Sequence, residues 1–144
     1  MNPSSSAAEA AKSVVQASND ECAQKPEQAM VILTSAALQT QGMAMVLSRA
    51  MQEQGVQLSI LLCDKAGDLA INSYQSSQAL APKGMKPEGL LLQLIEAGAD
   101  VAVCALYLPN SAYQEQDLRK GIRIAQPVDM ALMMRNKNYR VFTF

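Results

Sequence analysis

Five stretches of the chain have the composition of β-strands, and three of them are almost continuously apolar. The apolar stretches occupy residues 29–35 (AMVILTS), 56–63 (VQLSILLC) and 99–106 (ADVAVCAL). Short apolar runs rich in β-branched residues are typical of strands covered on both faces of a parallel sheet. Two shorter stretches, 121–125 (GIRIA) and 139–144 (YRVFTF), predict the fourth and fifth strands.

Helical patterns lie between these strands. In the stretch 41–55 the apolar residues recur at helical spacing, and Gly55 stands where such a helix ends. Three further helices are predicted, at residues 64–74, 87–97 and 127–134. Asp64 is in position to cap the first of these three. Strands that alternate with helices over short connections imply a three-layer α/β/α domain with a mainly parallel sheet of about five strands.

The length and composition suit one globular domain. The chain has 144 residues, of which 49% are apolar and 17% are charged, so it is able to bury a core. The strand and helix patterns place the domain at residues 28–144. Residues 1–27 are mostly small and polar, and they predict a flexible tail with a short helix across residues 7–17.

Charge balance and missing residue types exclude several classes of function. The 12 Lys and Arg residues nearly balance the 13 Asp and Glu residues, and no basic run offers a surface to nucleic acid. The chain has no histidine, which excludes Ser-His and Cys-His nucleophilic pairs and imidazole metal ligands. GxGxxG and P-loop motifs are also missing, so nucleotide phosphates lack a glycine-rich cradle.

The sequence offers no membrane segment or targeting signal. No apolar run approaches the roughly 18 residues of a membrane-spanning helix, and the N-terminus lacks the basic and apolar parts of a signal peptide. We therefore expect a soluble protein of the cytoplasm without a membrane partner, or one of the periplasm if a signal peptide has been removed.

The carboxyl ends of parallel strands form the edge at which open α/β sheets bind ligands. The predicted strands deliver seven polar or reactive side chains to this edge: Thr34, Ser35, Cys63, Asp64, Cys104, Tyr107 and Asn110. Cys104 is either a nucleophilic thiolate assisted by Arg119 or Lys120, or a small residue that fills the core. Cys63 is either a second thiol that pairs with Cys104 or a residue packed under the following helix.

Other sulfur-containing residues are interpreted as structural. Cys22 lies in the predicted tail, and nothing around it suggests a function. Nine methionines raise the question of a copper(I) site, but those in the predicted helices follow packing spacing, so we predict no metal. The segment MALMM, residues 130–134, is apolar around much of a helix and predicts contact with another subunit.

Several segments together resemble the DsrE/DsrF-like family of small sulfur-relay proteins over residues 28–144. They are VILTS, GMAMVLSRAMQEQG, GADVAVCALYLPN, DLRKGI and YRVFTF. Cys104 matches the cysteine that carries a persulfide in sulfur-relay members of the family. The resemblance implies a parallel five-stranded sheet in three layers, a homo-oligomer (trimer or hexamer), donor and acceptor proteins as partners, and sulfur transfer without a cofactor. The stretch LYLPNSAYQEQ departs from the family pattern, in which a basic stretch containing glycine follows the cysteine more closely.

Three functions are compatible with these patterns. The first is a sulfur carrier or sulfurtransferase-like protein that forms a persulfide on Cys104. The second is a thiol redox protein in which Cys63 and Cys104 form a reversible disulfide, which needs Cα atoms closer than about 7 Å. The third is a non-catalytic oligomeric module that binds a small molecule or a partner protein at the sheet edge.

Overall fold

The computed structural model describes residues 26–144. Within this range the strands are β1 (Gln28–Leu33), β2 (Gln57–Leu62), β3 (Asp100–Val103), β4 (Ile122–Ile124) and β5 (Tyr139–Thr143). The α-helices of this range are α1 (Leu38–Glu53), α2 (Pro87–Glu96) and α3 (Pro127–Arg135). A 3-10 helix, Asp64–Ala70, follows β2. The helix predicted at residues 7–17 and Cys22 lie outside the described residues.

The strands form one parallel sheet in the order β4-β3-β2-β1-β5. The three central strands are in register, with Leu33 beside Leu62 and Leu62 beside Val103. The last strand returns to the far side of β1, where Val31 pairs with Phe142. This arrangement confirms the predicted fold class, and it brings the ends of β1, β2 and β3 to one edge.

The main core lies between the sheet and the helices α1 and α2. Every second side chain of the central strands points toward these helices and is buried: Val31, Leu33, Ile60, Leu62, Val101 and Val103. Met45 of α1 and Leu91 and Leu94 of α2 pack against them. Burying one such side chain contributes about 1.5–3 kcal/mol, so this layer supplies much of the stability of the fold.

The helix α3 covers the opposite face of the sheet. Since the chain crosses from β4 back to β5 in the reverse direction, a right-handed crossover places its helix on the other side. Met130 packs there against Met30, Ala102 and Ala125. This second apolar cluster is smaller than the first and completes the three layers.

Large apolar side chains remain exposed on α1, α3 and β5. They are Met43, Val46, Leu47, Val128, Leu132, Met134, Val141 and Phe142. Within α3 only Met130 is buried, so most of the apolar surface of the MALMM segment faces outward. Exposed apolar surface of this kind is typical of contacts with another chain. Among the described residues, no helix combines the length and apolar character needed to cross a membrane.

The helix end predicted at Gly55 is confirmed, and Gly98 has the same place after α2. These glycines follow α1 and α2 with φ of 91° and 103°, in the left-handed region that glycine adopts without steric cost. Each one lets the chain reverse toward the next strand.

Two predicted elements are corrected. The third strand ends at Val103 instead of residue 106, because the carbonyl of Cys104 accepts a hydrogen bond from the amide of Tyr107 (2.9 Å) and the chain turns. The helix predicted at 64–74 is a 3-10 helix that ends at Ala70. Asp64 does not cap it, since Cys63 occupies the N-cap position and makes no side-chain cap bond.

A buried carboxylate fixes the long connection between the 3-10 helix and α2. Glu88, in the first turn of α2, is only 7% exposed. It accepts hydrogen bonds from the amide (2.9 Å) and the hydroxyl (2.5 Å) of Ser76. Burial opposes ionisation of this carboxyl, but the hydrogen bonds from Ser76 outweigh burial and hold the pKa of Glu88 below its ordinary value. The connection is thereby tied to the start of α2.

Glu88→Ala is expected to lower the free energy of unfolding by about 1–3 kcal/mol, because the buried polar groups of Ser76 lose their partner. Since the folded-state pKa is depressed, the contribution of the ionised carboxyl is fully present above the ordinary pKa of 4.5 and is lost progressively as the pH falls from there through the lower folded-state pKa. Urea unfolding of the variant and the parent at neutral pH and at about pH 3 measures the difference.

Glu96→Ala is the matched control, since Glu96 lies on the same helix and is exposed. The control should change the stability little at either pH. Equal losses in the two variants would contradict a special role for Glu88.

Candidate functional site

Cys63 and Cys104 lie side by side at the carboxyl edge of the sheet. Each is the first residue after its strand, and the last register pair between β2 and β3 is Leu62 with Val103. The backbone hydrogen bonds between β2 and β3 continue past this pair, because the amide of Cys104 donates to the carbonyl of Leu62 (2.8 Å). Neighbouring strands run about 4.8 Å apart and paired residues point to the same face, so the two thiols share one side of the sheet.

This side is the one that α3 covers. Leu61 and Ala102, two positions before the cysteines, pack in the cluster around α3, and side chains two apart along a strand share a face. At the end of β4, the amide of Ala125 donates to the carbonyl of Val103 (2.8 Å). Since α3 begins two residues later, its N-terminus lies next to the end of β3.

The surroundings of Cys63 hold its thiol in the protonated form. Cys63 and Cys104 are both free and partly exposed. The pKa of Cys63 is raised to about 12, first by burial and then by the charge and hydrogen bond of Cys104 and the charge of Asp64. Cys63 is therefore protonated at neutral pH, and its S–H group donates toward the sulfur of Cys104. This leaves Cys104 as the candidate nucleophile.

The chain bends sharply directly after Cys63. Asp64 has a φ of 50°, in the left-handed region that L-residues seldom occupy and that Asp tolerates better than most. A bend at this point turns the chain away from the sheet and leaves Cys63 at its edge. Residues held in such conformations cluster at functional sites, which favours a role for this edge.

A groove of about 440 Å³ lies between the chain segments that follow Cys63 and Cys104, and neither cysteine is among its lining residues. One wall is the start of the 3-10 helix, and the other is the turn after β3. The lining residues are Asp64, Lys65, Asp68, Leu106, Tyr107, Asn110, Ser111 and Tyr113. Because Asp64 directly follows Cys63 and Leu106 is two positions beyond Cys104, the groove opens from the ends of the two strands.

Tyr107 joins the two walls of the groove. Its hydroxyl donates to Oδ1 of Asp68 (2.5 Å). Burial, then the hydrogen bond and charge of Asp68, raise the pKa of Tyr107, so the hydroxyl keeps its proton. Its ring lies so close to Gly67 that a Cβ atom at that position would clash with it. Glycine at 67 therefore permits the contact between the walls.

The hydroxyl side chains predicted at the end of β1 take part in local structure. The hydroxyl of Thr34 donates to the carbonyl of Phe144 (3.1 Å), and that of Ser35 accepts a hydrogen bond from the amide of Ala37 (3.0 Å). Both residues lie at the predicted edge, one strand away from Cys63. Their hydrogen bonds fix the ends of β1 and β5.

Asn110 lies in the groove as a wall residue, as the strand-end argument placed it. Its side-chain amide donates to the carbonyl of Leu106 (2.8 Å), which stabilises the turn after β3. Tyr107 and Asn110 thus shape the groove.

The cation predicted to assist Cys104 has other partners. Arg119 donates to the carbonyls of Leu69 (2.9 Å) and Tyr74 (2.7 Å) at the end of the 3-10 helix. Lys120 is exposed. The structure therefore gives Arg119 a role in holding the loops around the groove.

Sequence reasoning missed the residues that support the turn beside Cys63. An isolated glycine within a helical pattern is a signal of close approach, and Gly67 carried that signal in the predicted helix at 64–74. The sequence carried no signal for the role of Asp68, because its partner Tyr107 lies 39 positions further along the chain. The left-handed bend at Asp64 also had no marker in the sequence.

Comparison with known proteins finds similarity in structure alone. No family model matches the chain, and no curated protein matches it by sequence. The crystal structure of the ychN protein from E. coli aligns with 83% of this chain and 100% of its own, with a TM-score of 0.69 and 16% identity. The MTH1491 protein of Methanobacterium thermoautotrophicum, described as of unknown function, aligns with 82% and 99%, with a TM-score of 0.60 and 10% identity. These likenesses show the fold, which is the one that the DsrE/DsrF-like resemblance implies.

Gly67→Ala is expected to displace the Tyr107 ring and to lower the free energy of unfolding by about 1–3 kcal/mol, the usual cost of overpacking. Denaturant unfolding of the variant and the parent measures this loss. Gly89→Ala is the matched control, since it lies within α2 and nothing is within 4 Å of an added Cβ. Alanine there should stabilise the helix by about 0.5–1 kcal/mol.

A double variant tests the cause of the loss. Tyr107→Ala removes the ring that the new methyl group meets, so Gly67→Ala should cost less in that background than in the parent. If the losses of unfolding free energy in the two single variants add up strictly in the double variant, Gly67→Ala destabilises the protein through a contact other than the Tyr107 ring.

An alkylating reagent is expected to modify Cys104 before Cys63 at neutral pH, because Cys63 is protonated. In Cys104→Ser, the rate at Cys63 should rise roughly tenfold for each pH unit below its raised pKa. Timed iodoacetamide labelling followed by peptide mapping gives both rates. Faster labelling of Cys63 than of Cys104 at neutral pH would reverse the assignment of the nucleophile.

Proposed function

We propose that this protein is a sulfur carrier that holds a sulfane sulfur as a persulfide on Cys104 and passes it to a partner. The observation that carries the proposal is the position of Cys104: it is a partly exposed thiol directly after β3, next to a second thiol on the neighbouring strand. In parallel α/β sheets this edge is where ligands bind.

The loading step needs only the thiol of Cys104 and a donor persulfide. The Cys104 thiolate attacks the outer sulfur of the donor, the bond between the two donor sulfurs breaks, and the donor leaves as a thiolate. One sulfur atom is transferred and no net oxidation occurs. The acceptor repeats the same exchange with the loaded Cys104. A chain without histidine is able to catalyse this exchange, because the thiolate itself is the nucleophile.

The fold supports the same proposal. The sequence segments around Cys104 resemble sulfur-relay proteins, and the three-layer parallel fold is the one that this resemblance implies. Cys63 adds to the argument, since its S–H group stabilises negative charge on the neighbouring sulfur, whether as thiolate or as persulfide.

The proposed partners are a sulfur donor protein and a sulfur acceptor protein. The groove between the segments that follow Cys63 and Cys104 is open at the protein surface, and its wall residues Tyr107 and Tyr113 offer contact area to a partner protein. The exposed apolar side chains of α3 and β5 support the homo-oligomer, a trimer or hexamer, that the resemblance implies. Both the partners and the subunit number stay predictions.

Sulfur loading is tested in a Cys22→Ser background, so that the sulfur chemistry is confined to Cys63 and Cys104. After incubation with a sulfane-sulfur donor, intact-protein mass spectrometry is expected to show one added sulfur atom that peptide mapping locates on Cys104. Cys63→Ser should still load, whereas Cys104→Ser should not.

The other outcomes have distinct meanings. A loss of two hydrogen atoms in the parent, together with no sulfur loaded on Cys104 in Cys63→Ser, would support the thiol redox function, which the neighbouring positions of the two thiols favour as a second candidate. Sulfur found on Cys63 in the parent would show that Cys63, and not Cys104, carries the sulfur. No change at either thiol would refute both functions.

A further inference from the structure

We infer that Cys63 gives this site a second activity: it discharges the Cys104 persulfide by closing a Cys63–Cys104 disulfide and releasing the outer sulfur as hydrosulfide. The inference rests on the proposed function, since it concerns the sulfur that Cys104 would carry. It adds a route by which the outer sulfur is released from Cys104 without an acceptor protein.

The positions of the two cysteines meet the geometric needs of this step. A disulfide requires Cα atoms about 4.4–6.8 Å apart and side chains that point toward one another. Cys63 and Cys104 are one position beyond the register pair Leu62 and Val103 on neighbouring strands, which run about 4.8 Å apart. Both backbones are held there, because the amide of Cys63 donates to Leu33 (2.9 Å) and that of Cys104 to Leu62 (2.8 Å). This strand spacing lies within the range of Cα separations that a disulfide requires.

The contact between the thiols selects the sulfur that is attacked. The inner sulfur of the persulfide is Sγ of Cys104, the atom that already interacts with the thiol of Cys63 before loading. The outer sulfur extends beyond it, away from the backbone that fixes both residues. Attack by Cys63 on the inner sulfur therefore needs less movement than transfer of the outer sulfur to Cys63.

The step balances without an added oxidant. The Cys63 thiolate forms a bond to Sγ of Cys104, the bond between inner and outer sulfur breaks, and the outer sulfur leaves with the electron pair as hydrosulfide. The proton lost from Cys63 passes to solvent or to the leaving sulfur. The sulfane sulfur is reduced to sulfide, and the two cysteine sulfurs are oxidised to the disulfide. A thiol reductant then restores the dithiol.

The protonation of Cys63 controls the rate of discharge. Burial above all raises the pKa of this thiol, so the attacking thiolate is scarce at neutral pH and the persulfide persists. Among the described residues, the titratable groups that raise it further are Cys104, across the β2–β3 pair, and Asp64, which follows it in the chain. The neighbouring end of β1 presents the hydroxyls of Thr34 and Ser35, which do not titrate in this range. Discharge should therefore accelerate as the pH rises.

The forward step is measured on protein loaded in the Cys22→Ser background and freed from donor. A sulfide-selective probe follows the release, and mass spectrometry follows the loss of sulfur together with two hydrogen atoms. We expect one hydrosulfide for each disulfide and a rate that rises several-fold for each pH unit above neutrality. Cys63→Ser and Cys63→Ala should both keep their sulfur. Release from these variants at the parent rate would overturn the inference.

The reverse step tests the inference without any donor. The Cys63–Cys104 disulfide is formed with a thiol oxidant, hydrosulfide is added, and peptide mapping is expected to find a persulfide on Cys104. If neither oxidant nor discharge ever yields the disulfide, the inference fails, even where loading of Cys104 succeeds. If hydrosulfide opens the disulfide to the Cys104 persulfide while no sulfane donor loads the dithiol, the carrier function fails and the inference stands.

Discussion

The parallel, in-register pairing of β2 with β3 is the constraint on which the candidate site depends. Side-chain direction alternates along a strand, so a slip of one residue would send one thiol to the α3 face and the other into the core. The register is held by pairs such as Leu62 with Val103, which are completely buried under α1 and α2. The main hydrophobic core therefore stabilises the domain and also places the sulfurs of Cys63 and Cys104 together.

The strand pattern could be predicted from the sequence because a strand covered on both faces must be apolar at nearly every position. Its ends were harder to predict. The apolar run of β3 continues through Leu106, yet the strand ends at Val103, because the chain turns where the carbonyl of Cys104 accepts a hydrogen bond from the amide of Tyr107. A turn closed by backbone groups within an apolar run leaves no mark in the composition.

The same limit applies to the site. The placement of Cys63 and Cys104 at one edge follows from strand order, which alternating strands and helices make predictable. The support around them depends on contacts between distant segments, such as Tyr107 with Asp68. The connection after β2 forms a 3-10 helix that begins at Asp64, whose backbone is in the left-handed region. No residue pattern in the segment predicted to be an α-helix indicated either feature.

A chain without histidine has to control a thiol by burial and by neighbouring groups. Here the two cysteines sit on equivalent positions of adjacent strands, yet the pKa of Cys63 is strongly raised by its burial. An environment that keeps one thiol protonated beside another supplies a hydrogen-bond donor and, at the same time, withholds a competing nucleophile. The chemistry of the pair thus depends on the desolvation of Cys63 that the surrounding packing creates. A substitution that opens this edge to water would therefore lower the pKa of Cys63 toward its ordinary value, even though both thiols remain in place.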